Sequence, residues 1–150
     1  MLGIYFTGTG NSRYVLDIFL KKYDKTADIC ALTDKNITHF IKENEKIIFS
    51  YPVQFSNIPK ILKDFVDKNR GLWQEKHIFV IATMGLFSGD GAGILARRLQ
   101  KYGARIEGGL HLQMPDSIAD EKALKRSLEK NKELVWAAEQ KIDKAVRNLK

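Results

Sequence analysis

Near the start of the chain, Thr7-Gly8-Thr9-Gly10-Asn11-Ser12 follows the apolar run Gly3-Ile4-Tyr5-Phe6 and leads into a helical pattern. Its chemistry is that of a phosphate cradle. Glycine lets a backbone approach an anion closely, and the hydroxyls of Thr7, Thr9 and Ser12 can each donate a hydrogen bond. A helix opening here aims its first amides and its positive dipole end at the same place. The turn holds no lysine, unlike the nucleoside-triphosphate loop G-x-x-x-x-G-K-[ST], and Arg13 stands where the dinucleotide loop G-x-G-x-x-G needs its third glycine. A neutral, hydroxyl-lined nest suits one terminal phosphate monoester. An ordinary glycine-rich turn with a helix cap uses the same residue types, so the rest of the chain must decide between the two.

Positioning such a turn requires a strand before it and a helix after it, and the chain repeats that pairing from end to end. Strand patterns fall at roughly 2–6, 27–32, 46–50, 77–82 and 104–113, the third stopped at Tyr51-Pro52 and the fifth interrupted at Gly108-Gly109. Between them lie helical stripes: Tyr14, Val15, Ile18 and Phe19; a short stretch near 35–43; Ile58, Ile61, Leu62, Phe65 and Val66; Ile94, Leu95 and Leu99. A long last helix carries Leu124, Leu128, Val135, Ala138, Ile142, Val146 and Leu149. Five βα units predict an α/β fold: an open, doubly wound five-stranded parallel sheet with right-handed crossovers and helices on both faces. In the order 2-1-3-4-5, the loops after strands one, three and four are neighbours on the rim where such sheets bind ligands.

Composition sets the frame. The 150 residues are 44% hydrophobic and 29% charged, which predicts a single globular domain over 1–150. The apolar runs are strand-length and the first residues already belong to a strand, so neither a membrane span nor a signal peptide is expected, and the protein is placed in the cytoplasm. The single cysteine, Cys30, reads as a small core residue and excludes a disulfide or a cysteine-ligated cluster within this chain. The net charge of +7 raises nucleic acid as a partner, but the basic residues are interleaved with acidic ones along helices, so no nucleic-acid role is expected. His39, His77 and His111 lack metal-ligand spacing, Asp90 and Asp116 read as cap or turn residues, and Ser56 and Ser117 lack a hydrolase motif. No catalytic side chain and no metal site are expected.

The three rim loops together resemble the FMN-binding loops of the flavodoxin-like superfamily, over essentially the whole chain. Thr7 to Ser12 is similar to the flavodoxin phosphate loop [ST]-x-T-G-[NT]-[ST]. Pro52-Val53-Gln54-Phe55-Ser56-Asn57 lacks the tryptophan usual in short-chain flavodoxins and is more like the P-x-x-F-[GS]-N loop of flavodoxin-like quinone reductases. Thr83-Met84-Gly85-Leu86-Phe87 is the third loop. A Y-P-V-x-F-S-N-I-P loop and the glycine-rich run from Gly85 to Gly91 also resemble the flavodoxin-like module that precedes a bacterial-type ferredoxin domain; this sequence holds no ferredoxin cysteines.

The resemblance implies FMN bound by Thr7, Gly8, Thr9, Gly10, Asn11, Ser12, Pro52, Val53, Gln54, Phe55, Asn57, Thr83, Met84, Gly85, Leu86 and Phe87. A flat, mostly apolar tricycle needs hydrophobic walls and a few polar groups, which Val53, Phe55, Met84, Leu86 and Phe87 on one side and backbone groups on the other can provide. Gln54 can bond the ring's polar edge or lie over it, and the Gly85 peptide can approach the ring closely. The leading expectation is an electron carrier serving redox protein partners, an acidic ferredoxin or reductase among them. The alternatives are an NAD(P)H- or ferredoxin-dependent reductase of quinones or other small acceptors, and a cofactor-free interaction domain.

Overall fold

The computed structural model describes residues 1–53, 57–85, 89–115 and 128–150. Strands and helices alternate along them: β1 (Leu2–Tyr5), α1 (Asn11–Tyr23), β2 (Asp28–Ala31), α2 (Ile37–Glu43), β3 (Lys46–Pro52), α3 (Lys60–Lys68), β4 (His77–Met84), α4 (Gly91–Lys101), β5 (Arg105–Gln113) and α5 (Leu128–Leu149), with a 3-10 turn at Arg70–Leu72. The strands form one sheet in the order β2-β1-β3-β4-β5, every neighbouring pair parallel. This is the architecture and strand order expected from the sequence.

Successive strand residues point to opposite faces, and both faces are covered, which is why the central strands read as continuous apolar runs. Ile47, Phe49 and Tyr51 of β3, with Ile78, Val80 and Ala82 of β4, pack with α2, α3 and α4 through Ile41, Leu62, Val66, Leu95 and Leu99. The alternate residues Ile48, Phe79 and Ile81 pack with α1 and α5 through Leu16, Phe19, Leu20, Ile142 and Val146. Trp73 is fully buried, edge-on to Phe49 and Phe65, and its indole N–H donates to the Val66 carbonyl at 2.9 Å.

Several details differ from the sequence expectation. β3 runs through Tyr51 to Pro52, because a proline can occupy the last rung of a strand without breaking the ladder behind it. Tyr14 is 42% exposed and sends its hydroxyl to Glu139 Oε1 at 2.9 Å; the buried stripe of α1 is Val15, Leu16, Phe19 and Leu20. Ile61 is 43% exposed because Leu62 and Val66, one turn apart, take the inward line of α3. Leu128 is 70% exposed at the first residue of α5, whose fully buried residues begin only at Ala138. Leu124 lies outside the described residues.

The interruption expected at Gly108-Gly109 is a bulge. Ile106 pairs with Ile78 and Gly108 with Phe79, leaving Glu107 as the extra residue. Gly108 has φ 155, and a Cβ there would lie 2.9 Å from Phe79 Cε2. Gly108→Ala is therefore expected to cost about 1–3 kcal/mol of folding stability, measured by urea unfolding; an unchanged midpoint and slope would show that the bulge tolerates a side chain.

Candidate functional site

Because the strands are parallel, their carboxyl ends share one edge, and the exits of β1, β3, β4 and β5 meet there. A cleft at this edge is lined by Thr9, Asn11, Pro52, Val53, Thr83, Met84 and Gly85, all expected from the sequence, and by Met114 and Pro115, which were not. Thr7 is half-buried in the same turn, while Gly8 and Gly10 are exposed. Asn57 is exposed and its Oδ1 accepts the Ile58 N–H at 2.8 Å. Gln54, Phe55, Leu86 and Phe87 lie outside the described residues.

The turn after β1 owes its shape to Gly10, whose φ of 93 is in the region that side chains disfavour, and it caps α1 from there. The Gly10 N–H donates to Thr7 Oγ1 at 2.9 Å and the Tyr14 N–H to the Gly10 carbonyl at 2.9 Å, closing the turn onto the helix. No acidic residue occupies the first turn of α1, so its positive dipole end is not offset by a nearby carboxylate of its own sequence.

Beneath the turn lies a buried polar junction. Ser12 is only 1% exposed; its hydroxyl and that of Thr83 are 2.9 Å apart and hydrogen-bonded. Ser50 Oγ donates to the Ser12 carbonyl at 2.7 Å, and Thr83 Oγ1 reaches the Tyr51 carbonyl at 3.5 Å. The first turn of α1 is thus fastened to the ends of β3 and β4. Asn11 Nδ2 adds a bond to the Pro115 carbonyl at 2.8 Å, tying the turn to the exit of β5. Across the cleft, the Val53 N–H donates to the Thr83 carbonyl at 2.8 Å, and the Tyr51 hydroxyl donates to the Gly91 carbonyl at 2.7 Å. Burial pushes the Tyr51 phenol upward, so it remains a protonated donor.

The remaining candidates do other work. Cys30 is buried on β2 and its thiol is pushed up to about 11 by burial and by Asp34 and Asp28, as fits a core residue. His39 is exposed, His77 pairs with Glu107 at 2.9 Å, and His111 Nε2 accepts the Ala92 N–H at 3.2 Å. Asp90 pairs with Arg97, while its carbonyl accepts the Ile94 N–H at 2.9 Å. Ser56, Asp116 and Ser117 lie outside the described residues. Among the described residues, no three His, Cys, Asp or Glu side chains cluster as a metal site, and no helix is long and apolar enough to cross a membrane.

A family profile described as Flavodoxin domain matches residues 2–133. The chain belongs to the flavodoxin domain family. Solved structures agree on the fold. The two-electron reduced flavodoxin of Megasphaera elsdenii superposes with a TM-score of 0.69 at 19% identity, covering 93% of this chain and 99% of that one. A WrbA-like flavodoxin from Agrobacterium tumefaciens gives 0.63 at 16% identity, covering 99% and 98%. An azoreductase from Bacillus anthracis gives 0.66 at 13% identity, covering 98% of each chain. No curated protein sequence matches the chain significantly.

In this flavodoxin domain, the cleft residues missed by sequence reasoning are Met114 and Pro115. Their signal was positional: β5 neighbours β4, so its exit falls on the same rim as Thr83 to Gly85. The hydroxyl junction yields a test. Thr83→Val keeps the shape but leaves the Ser12 hydroxyl buried without its partner, at an expected cost of about 1–3 kcal/mol in unfolding free energy. A variant as stable as wild type in urea would mean that the pair does not hold α1 to the sheet.

Proposed function

We propose that the cleft binds FMN and that the protein carries electrons between redox partners. The observation that carries this reading is the character of the described lining: hydroxyls, amides and apolar side chains beside a helix N-terminus, with no titratable side chain among them. Such a lining can hold a ligand that brings its own chemistry and is poorly suited to acid–base or nucleophilic work.

The residues fit the ligand in two regions. Thr7 and Thr9 have hydroxyls at the mouth of α1, where the first helical amides and the dipole favour an anion. Among the described residues, no atom lies within 4 Å of where a Cβ at Gly8 or Gly85 would be, which leaves room beside the backbone for a ligand. Val53, Met84 and Met114 supply apolar walls for a flat ring system. FMN, when bound, supplies the uptake and release of electrons, while the chain binds it, orients it and sets its polarity. The net charge of +7 supports an acidic redox protein, such as a ferredoxin or a reductase, as the partner.

Ser12 takes a different part from the one its motif suggests. With its hydroxyl buried on Thr83, it supports the phosphate turn from beneath. Thr9→Ala and Thr7→Ala should each weaken FMN roughly 10- to 100-fold, the value of a hydrogen bond to a charged group, and barely change riboflavin. Ser12→Ala should weaken both flavins alike. Equal loss of the two flavins in Thr9→Ala, measured by fluorescence titration, would remove the phosphate role.

Carrier and reductase separate kinetically. FMN-loaded protein is expected to exchange electrons with a reduced acidic partner at a rate that falls as salt rises, while oxidising NAD(P)H slowly by itself. Rapid NAD(P)H-dependent reduction of a quinone by the purified chain would overturn the carrier reading in favour of an enzyme.

A further inference from the structure

Away from the cleft, a groove of about 380 Å³ opens between the outer edge of β5 and the last turns of α5. β5 is the border strand of the sheet, so among the described residues no further strand covers this side. The groove lies at the bulge. Glu107 is the extra residue there, and Gly108 beside it carries no side chain, since a Cβ would lie 2.9 Å from Phe79 Cε2. Facing the strand, α5 contributes the short side chain of Ala145. With so little side chain on either side, sheet and helix do not close on each other, although protein interiors are otherwise close-packed.

The floor of the groove is apolar and fixed. Phe79, Leu110, Ala145 and Leu149 belong to the core layer beneath α5, and Phe79 stacks on Phe19 with ring centroids 5.1 Å apart. Its rim is cationic. Lys141 and Lys144 line it and are exposed; Lys141 Nζ reaches the His111 carbonyl at 3.4 Å, and neither lysine meets a carboxylate among the described residues. Asp143, between them in sequence, pairs with Lys22 of α1 on the other flank of the helix. Glu107, the one carboxylate in the described lining, is already engaged by Lys46 at 3.4 Å and His77 at 2.9 Å.

We propose that this groove binds a small amphipathic anion, a flat or short-chain apolar body bearing one carboxylate. The body lies on Phe79, Leu110 and Leu149, and the carboxylate meets Lys141 and Lys144. The volume is within the range of small-molecule sites. Burial of the apolar body drives binding, and the unpaired ammonium groups select the charge. Glu107 stands well before His111 along β5, so the Lys141 end of the groove is the one that admits a carboxylate. The site is separate from the cleft, which β5 borders only at its exit, and does not depend on what the cleft holds.

The test uses the purified chain and two probes of one shape, 2-naphthoate and the uncharged 2-naphthamide, titrated by calorimetry and followed by amide chemical shifts. 2-Naphthoate should bind with a dissociation constant of about 1 mM or tighter, as its size permits. At low salt it should bind about five- to tenfold more tightly than 2-naphthamide, the value of a charge-assisted contact at an exposed rim. The shifts should centre on Gly108, Gly109 and Lys141 to Asn148, with or without FMN. Replacing Lys141 and Lys144 together by glutamine should bring 2-naphthoate to within about twofold of the amide. Ala145→Leu, which fills the recess, should weaken both probes by about fivefold or more; if it unfolds the chain, the exposed lysine pair still decides. A charge preference that survives the double lysine substitution, shifts confined to the cleft, or no binding of 2-naphthoate would overturn the proposal. So would a dimer in sedimentation that the lysine substitutions dissociate, or binding of an acidic strand-forming peptide in place of 2-naphthoate, because each gives the groove a macromolecular occupant.

Discussion

A hydroxyl buried without a partner costs more than a typical hydrogen bond returns, and this flavodoxin domain has buried hydroxyls where its first helix meets the sheet. Ser12, Ser50 and Thr83 are each at most 3% exposed. They satisfy one another and the adjoining backbone, and in doing so fix the height and angle at which α1 leaves the sheet. The cradle shape follows from that attachment. If the first turn of α1 lifted away, Ser12 and Thr83 would lose each other, and Thr7 and Thr9 would lose their common origin over the strand ends.

The same economy organises the opposite wall. Val53 continues the β3–β4 ladder by one bond beyond Pro52, and the Tyr51 hydroxyl reaches the first residue of α4. Gly91 has no side chain where a Cβ would lie 2.4 Å from Val53 Cγ2, so α4 can start directly against the cleft wall. The loops that border the cleft are anchored at their strand ends by bonds to a neighbouring strand or helix. Rigid anchors with variable loop tips are the usual way one scaffold presents a binding surface.

The fold was legible because fully covered parallel strands must be apolar on both faces, as β3 and β4 are, and five strand patterns alternating with helical stripes leave few topologies. The glycine- and hydroxyl-rich turn after β1 was read at the rim of the sheet, and Thr9 and Asn11 do line the cleft there. Ser12 illustrates where type misleads: Ser12, Val15, Leu16 and Phe19 stand at i, i+3, i+4 and i+7, so the helical period puts the serine on the buried stripe even though the motif groups it with ligand-facing hydroxyls. Gln113 illustrates what was not legible. Its neighbourhood with Met84 depends on the register of β5, which the extra residue Glu107 shifts by one. A one-residue slip reverses every side chain beyond it, and the identity of the bulged residue could not be read from Gly108-Gly109 alone.

Charge acts on this molecule at two ranges. The chain carries a net +7, yet the described cleft lining is uncharged. Several cations are already engaged: Lys22 with Asp143, Lys60 with Asp64, Arg98 with Asp67. Exposed charges of this kind are screened within about 8–10 Å at physiological salt, so the excess positive charge governs how anionic molecules approach. Holding an anion at the mouth of α1 depends instead on amides, hydroxyls and the helix dipole, which are short-ranged and geometrically exact in what they accept. Different residues carry the net charge and the directional groups at the mouth of α1, so either can change without rebuilding the other.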